Sequence, residues 1–403
     1  MPRTKIYFYI IGNNQAGGAQ HSFLKEASVL TKNPNSIVYF ISAKATSYQI
    51  SKDIITDGII RKESNNLLNA NIINIFLYFK YLYLLLKCIR NKNRDAEIIV
   101  SYTTPLASLI AATVCKCLRI RSTRYRIGGL LYSPNFTLYL NLPAFLIEYT
   151  ILRLSKYTSF VCDSNKIKYL KIFKFLRSKI KYIDVFYSVC SQEINYNEDK
   201  ILRDNKYLYN LNSNKKINFN DYLKSKRIIL TIINDKLRKG SHIFYKITRR
   251  FENDESLLFI HLGSRKHKNP TLINKNMLII PHSSSNDVFY WIDKCIFTVI
   301  LSKYPEGLAQ VIPQSISKGK PVLAFQNSGV NDCIICGFNG VILDNQSDLN
   351  LIYMEFHKLI YSSELSSLTS NALKSSEFFK HRHSESNFRT SFMNSNFYKN
   401  CCN

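Results

Sequence analysis

The sequence predicts an α/β protein of two doubly wound parallel-sheet domains, and three observations carry that expectation. The chain has 403 residues, more than a single hydrophobic core usually organises. Short runs of β-branched and aromatic residues alternate with longer helical-looking stretches, the pattern of sheets built from βαβ units. These runs fall into two series, divided by Gln192 to Asn220, a stretch rich in Asn, Lys and Tyr with no clear period.

The first series of expected strands is Ile6–Ile11, Ile37–Ser42, Ile98–Tyr102, Ser159–Cys162 and Ile183–Tyr187. The second is Ile228–Ile233, Leu257–Leu262, Met277–Ile280, Phe297–Leu301 and Val322–Phe325. The division implies an N-terminal domain over residues 1–190, a linker or insertion over 191–221 and a C-terminal domain over 222–375. The tail, 376–403, is polar, with Phe378, Phe379, Phe388, Phe392 and Phe397 spaced as a helix face would space them. It is expected to pack back on the first domain or to fray.

Charge narrows the partners. The formal net charge is +27, and residues 1–190 hold 27 Lys and Arg against 9 Asp and Glu. The N-terminal half therefore faces something anionic, and nucleic acid, acidic phospholipid and a pyrophosphate-bearing substrate all satisfy that demand. The ten cysteines are scattered, and Cys88, Cys162 and Cys295 lie in apolar runs, so a reduced, cytosolic chain is expected rather than a disulfide scaffold. Cys333 and Cys336 have a metal-ligand spacing but lack a second pair, and no metal is expected. The start, Met1 to Ile6, has no signal-peptide pattern. The oily stretch Ile72 to Leu86 is interrupted by Asn74 and Lys80 and is shorter than the roughly 20 residues a spanning helix needs.

Three clusters offer chemistry. After the first strand comes Gly12-Asn13-Asn14-Gln15-Ala16-Gly17-Gly18-Ala19-Gln20, then the amphipathic run from Phe23 to Leu30. A glycine turn between strand and helix lets backbone N–H groups approach a phosphate or sugar, although an ordinary βα turn favours glycine equally. After Ile228–Ile233 comes Asn234-Asp235-Lys236-Leu237-Arg238-Lys239-Gly240-Ser241, either a compact anion site or a solvated basic loop. The third cluster is Lys303-Tyr304-Pro305-Glu306-Gly307-Leu308-Ala309-Gln310-Val311-Ile312-Pro313-Gln314-Ser315, followed by Gly319-Lys320-Pro321-Val322. The turn at Glu306 is expected to open a helix, with Gln314 about two turns along the same face and Pro313 kinking it.

In order and spacing these clusters resemble the group 1 (family 4) retaining glycosyltransferases of the GT-B fold, including enzymes of bacterial O-antigen and capsule assembly. The likeness runs over nearly the whole chain. Gly17-Gly18-Ala19-Gln20 resembles the family's GGAE or GGAQ loop, and Asn234 through Gly240 resembles its diphosphate-binding N-D-x3-K-G segment. Glu306-Gly307-Leu308-Ala309 with Gln314 mirrors its E-G-F-G-x4-E turn. The resemblance implies two Rossmann-like domains facing a central cleft. It also implies a nucleotide-diphosphate sugar held by Gly17, Gly18, Asn234, Lys239, Gly240, Glu306, Gly307, Leu308, Ala309 and Gln314. Lys239 and Glu306 are the implied catalytic pair.

The family's second Glu is Gln314 here, the Arg common in its phosphate segment is Asn234, and the only His before the linker is His21. The expected reaction transfers a hexose-type sugar to a lipid-linked saccharide acceptor in surface polysaccharide synthesis, without a metal or other cofactor. Lys239 would neutralise the leaving diphosphate and Glu306 would orient the sugar. The basic segment Lys166 to Lys181 suits an anionic membrane surface or, equally, is a core helix with a solvated Lys face. The chain's candidate acceptor or membrane contacts are Lys168 and Lys171 in this segment and Arg124 and Arg126 before it, and the chain is expected in the cytoplasm, with the inner face of the plasma membrane as its peripheral site. The alternatives are 2-epimerase-like chemistry in the same nucleotide cleft and a non-enzymatic anion-binding or nucleic-acid-binding protein. Zinc-finger spacing, RNP aromatics and helix-turn-helix cues are missing, so nucleic acid is not an expected partner.

Overall fold

The computed structural model describes residues 4–11, 18–43, 59–64, 72–127, 138–174, 180, 182–187, 189, 207–210, 216–223, 225–233, 237–264, 266, 269–281, 285–303, 307–327 and 329–401. The chain divides into two compact units: Met1–Val189 with Glu385–Asn403, and Cys190–Ser384.

Unit 1 is a seven-stranded, wholly parallel sheet. Its strands are β1 Lys5–Ile11, β2 Ser36–Ala43, β3 Ile59–Ser64, β4 Glu97–Thr103, β5 Ser122–Ile127, β6 Tyr157–Phe160 and β7 Tyr182–Val185. The helices between them are α1 Gly18–Leu30, α2 Ile72–Lys92, α3 Pro105–Cys117, α4 Leu138–Leu154 and α5 Asp163–Ile172. The order is β3-β2-β1-β4-β5-β6-β7, so the chain winds one way from β1 and then crosses it to β4. Burial on both faces explains why β1 is apolar from Ile6 to Ile11. Ile6, Phe8 and Ile10 pack with Tyr78 and Leu82 of α2, whereas Tyr7, Tyr9 and Ile11 pack with Phe23, Leu24 and Ala27 of α1.

Unit 2 contains β8 Tyr207–Asn210, β9 Lys216–Asn218, α6 Phe219–Leu223, β10 Arg227–Ile232, α7 Ser241–Arg249, β11 Leu257–Ser264, β12 Thr271–Asn274 and β13 Met277–Pro281. It continues with α8 Ser285–Lys294, β14 Cys295–Ile300, α9 Val311–Ser317, β15 Val322–Phe325, β16 Gly340–Leu343, α10 Leu349–Tyr361 and α11 Glu364–Arg382. The sheet order is β16-β15-β14-β10-β11-β13-β12-β8-β9. The strands from β16 to β13 are parallel, and β12 runs antiparallel to β13. Alternate residues again serve two layers: Ile229, Phe259, Ile279 and Phe297 face α7 and α10, while Leu230, Leu258, Ile260 and Leu278 face Trp291 and Ile292 of α8.

The segment expected as a linker is more than that. β8 and β9 lie inside it, β8 adding to the sheet beside β12 and β9 pairing with β8. The tail also divides later than residue 376. Residues 376–382 continue α11 in unit 2, and the helices α12 Glu385–Met393 and α13 Asn396–Cys401 belong to unit 1. There Phe388, Phe392 and Phe397 join the α1 face of the sheet. The Asp184 carboxylate on β7 accepts from the backbone N–H groups of Asn396 at 2.9 Å and Phe397 at 3.1 Å, capping α13. Phe379 instead packs in unit 2, and Phe378 is exposed. Among the described residues no helix is long and apolar enough to cross a membrane. α2 spends its apolar stripe on the core through Tyr78, Leu82, Leu86 and Ile89.

Candidate functional site

In unit 2 the chain leaves β10 for β11 on one side and later returns to β14 on the other. The carboxyl ends of β10 and β14 therefore form the point where winding reverses, where open α/β sheets bind ligands. The two most distinctive sequence clusters occupy the connections leaving these two strands. Leu237–Lys239 forms a 3-10 turn after β10, and Gly240 passes it into α7.

Gly240 has φ +82°, and a Cβ there would lie 2.0 Å from the carbonyl oxygen of Leu301, the first residue beyond β14. Only glycine meets both demands, the left-handed backbone and the close approach. Gly329, with an ordinary φ of −93°, meets only the second demand for the connection after β15: a Cβ would lie 1.6 Å from the carbonyl oxygen of Gly307. These two contacts draw three strand-end connections together above the sheet.

The assembled edge is electropositive. The amides of Ile243 and Phe244 both donate to the Gly240 carbonyl at 3.0 Å, so the hydrogen bonding of α7 begins with its third and fourth residues. The amides of Ser241 and His242 precede that ladder, at the positive end of the helix dipole. Lys239 is half-buried in the turn just before Gly240. His242 is held below its ordinary pKa by burial first and by Lys246 and Lys303 next, opposed by a backbone hydrogen bond at Leu237. That coupling brings Lys303, from the connection after β14, within electrostatic reach of the α7 N-terminus.

Polar ties fix the frame. Thr231 Oγ1 on β10 donates to the Val299 carbonyl at 2.8 Å, and Thr298 Oγ1 on β14 donates to Ser315 Oγ on α9 at 3.0 Å. His261, fully buried on β11, has Nε2 2.9 Å from the carbonyl oxygen of Ile233 and bonds Tyr245 of α7 through Nδ1. It fastens the end of β10 to the helix that follows. Sequence reading passed over His261 and His242 and gave Lys303 no role. A histidine inside an apolar strand, at the register of the β10 end, is the signal that was present.

The third cluster departs from expectation. Gly307 is buried and Leu308 and Ala309 are half-buried, but none of them is helical, and α9 begins only at Val311. Gln314 is therefore not two helical turns from position 306. It lies in the short helix, 9% exposed. Pro313 does not kink that helix. It is the third residue of the first turn, where no intrahelical N–H donor is required. Glu306, Asn234 and Gly17 lie outside the described residues, as do Asp235 and Lys236.

In unit 1, Gly18 is the first residue of α1, which follows β1 at the β1/β4 reversal. Arg124 and Arg126 correct the surface role expected of them. They are 0% and 1% exposed on β5, and both guanidinium groups ion-pair with the buried carboxylate of Glu26 on α1. The Arg124 guanidinium also lies 4.2 Å from the Phe397 ring centroid. A buried, paired arginine cannot meet a membrane. Lys171 is exposed and Lys168 half-buried on α5, whose Tyr169 and following Phe173 enter the core. Cys333 is buried and Cys336 exposed, and among the described residues no group of His, Cys, Asp or Glu is placed to hold a metal ion.

No protein-family model matches the sequence. One curated protein, the Vi polysaccharide biosynthesis protein VipC/TviE of Salmonella typhi, is 37% identical over 68 residues, 17% of this chain and 12% of that protein. The match thus spans a small part of that relative's length. Solved structures match over nearly the full chain. HepE of Anabaena in complex with UDP-glucose has a TM-score of 0.65 at 13% identity, covering 96% of this chain and 98% of its own. WaaG, a glycosyltransferase involved in lipopolysaccharide biosynthesis, has a TM-score of 0.65 at 12% identity, covering 97% and 100%. The fold is that of the GT-B glycosyltransferases, two units of Rossmann type.

Proposed function

We propose that this chain is a metal-independent glycosyltransferase. In this reading it moves a hexose-type sugar, with retention of configuration, from a nucleotide-diphosphate sugar to a lipid-linked saccharide acceptor in surface polysaccharide synthesis. It works in the cytoplasm at the inner face of the membrane. The observation that carries the reading is the closure of Gly240 onto Leu301, which sets Lys239 and the start of α7 beside the connection after β14. The UDP-glucose complex of HepE, the lipopolysaccharide role of WaaG and the short match to a Vi polysaccharide protein support the substrate class.

Negative charge grows on the outer phosphate as the glycosidic bond breaks. Lys239 offers it a fixed cation, and the leading amides of α7 offer oriented donors, so the charge meets dipoles that need no rearrangement. Lys303 adds a second cation from the opposite connection. Gln314 and Glu306 take the roles that the resemblance implies, the amide accepting from a ribose hydroxyl and the carboxylate orienting the sugar. Metal independence follows in this scheme because protein cations do the neutralising.

The test is calorimetric titration with UDP, GDP, UDP-glucose and other nucleotide sugars, followed by sugar transfer to a lipid-linked saccharide with and without EDTA. Binding of one nucleotide diphosphate and EDTA-insensitive transfer are expected. No nucleotide binding at millimolar concentration would sink the proposal, and EDTA-sensitive transfer would remove its metal-free mechanism.

A further inference from the structure

A groove of about 380 Å³ runs between α7 and the β12–β13 hairpin, reaching the start of the helix at Leu237, Ser241 and His242. That volume falls within the roughly 300–1,000 Å³ typical of small-molecule sites. Its floor is aliphatic, made by Ile273, Met277 and Ile279, with the ring of Tyr245 as one wall. Leu237 lines its mouth and is 71% exposed, more than any other large hydrophobic side chain among the described residues. An apolar floor continued by a bare leucine calls for an apolar occupant that covers both.

The charged groups along the groove have one sign. Lys266 lines it near the α7 N-terminus and Arg249 at the far end, and no Asp or Glu is among the described lining residues. The helix dipole favours an anion at the Lys266 end, while at the other end the aliphatic stem of Arg249 can extend the apolar surface. α7 is nine residues long, about 13 Å of helix, enough for an extended aliphatic chain to lie along it. We propose that this groove binds a single-chain lipid phosphate, its aliphatic chain on the Ile273–Met277–Ile279 floor and its phosphoryl group at Lys266. The groove adjoins the start of α7 at Leu237, Ser241 and His242, but its apolar floor and Lys266 belong to other elements than the Gly240–Leu301 edge, so binding of the aliphatic chain there does not depend on a nucleotide.

The experiment titrates dodecyl phosphate, below its aggregation threshold, into the full chain and into Lys266→Glu and Ile273→Asp. Inorganic phosphate and phosphatidylglycerol vesicles serve as comparison ligands. Dodecyl phosphate should bind the parent chain at least tenfold more tightly than inorganic phosphate, and each substitution should weaken it tenfold or more. Lys266 is exposed, so its reversal leaves packing alone and reads the site even where Ile273→Asp lowers the thermal midpoint. The proposal is overturned if dodecyl phosphate binds no better than inorganic phosphate. It is equally overturned if Lys266→Glu stays within twofold of the parent, or if the vesicles bind while dodecyl phosphate does not.

Discussion

Gly240 shows how one residue ties local backbone to site geometry. Gly240→Ala forces a Cβ into φ +82° and into the Leu301 carbonyl. The backbone strain alone costs about 1–3 kcal/mol, and the overlap pushes the two connections apart. A lower thermal midpoint together with lost nucleotide affinity is expected; a variant with parent-like affinity would separate this contact from binding. Lys239→Ala removes the cation from the turn and should weaken nucleotide-diphosphate binding by roughly 1.5–3 kcal/mol, the range for a hydrogen bond to a charged group. Calorimetry that finds equal affinity would move the phosphate elsewhere.

His242 adds a pH signature. Its pKa is depressed in the folded chain, so it is kept neutral and its contribution to stability is present above the ordinary histidine value and lost as pH falls below it. A bound diphosphate favours the imidazolium. Nucleotide-sugar affinity should therefore rise as pH drops through the histidine range, where the diester phosphates themselves do not titrate. His242→Gln should flatten the profile, and a flat profile in the parent chain would place the ligand away from α7. Gly240 and Lys239 stood out in the sequence by their spacing. His242 and His261 were not, because their significance comes from partners on other strands and connections.

At the scale of elements, legibility followed hydrophobic period. β15 was expected over Val322–Phe325 and is found there; β1 begins one residue earlier than expected, and β10 is shifted by one residue at each end. β5 went unrecognised because Ser122-Thr123-Arg124-Tyr125-Arg126-Ile127 looks like an exposed polar stretch. Its arginines are inside because Glu26, on a helix about a hundred residues earlier, takes both. Leaving two buried cations without that carboxylate is costly, and Glu26→Gln should destabilise unit 1 by about 3–5 kcal/mol, read by chemical denaturation. A loss below 1 kcal/mol would mean that water reaches the pair. The cap on α13 was equally hidden, since Asp184 and Asn396 are 212 residues apart. α9 was misplaced because Pro313 was taken as a helix interior rather than a first turn.

For the molecule as a whole, charge asymmetry must be read with burial in hand. The excess of cations in residues 1–190 includes Arg124 and Arg126, which are buried and share the carboxylate of Glu26, so they offer no surface contact and only part of their formal charge. What remains outside includes α5, where Lys171 and Ile167 are exposed and Lys166 is only loosely paired with Asp163 at 3.7 Å. Such a surface attracts an acidic leaflet by about 1 kcal/mol per cation near it, and the attraction fades once salt shortens the screening length to a few ångströms. Co-sedimentation with phosphatidylglycerol vesicles is therefore expected at low ionic strength and lost at about 1 M salt. Phosphatidylcholine vesicles should leave the protein in the supernatant. Lys168→Glu combined with Lys171→Glu should lower the vesicle affinity at least tenfold without moving the thermal midpoint, because neither ammonium enters the core. If the pair of reversals changes nothing, the membrane-facing cations are on other elements; if the parent chain ignores acidic vesicles altogether, the basic N-terminal half serves an anionic substrate rather than a lipid surface.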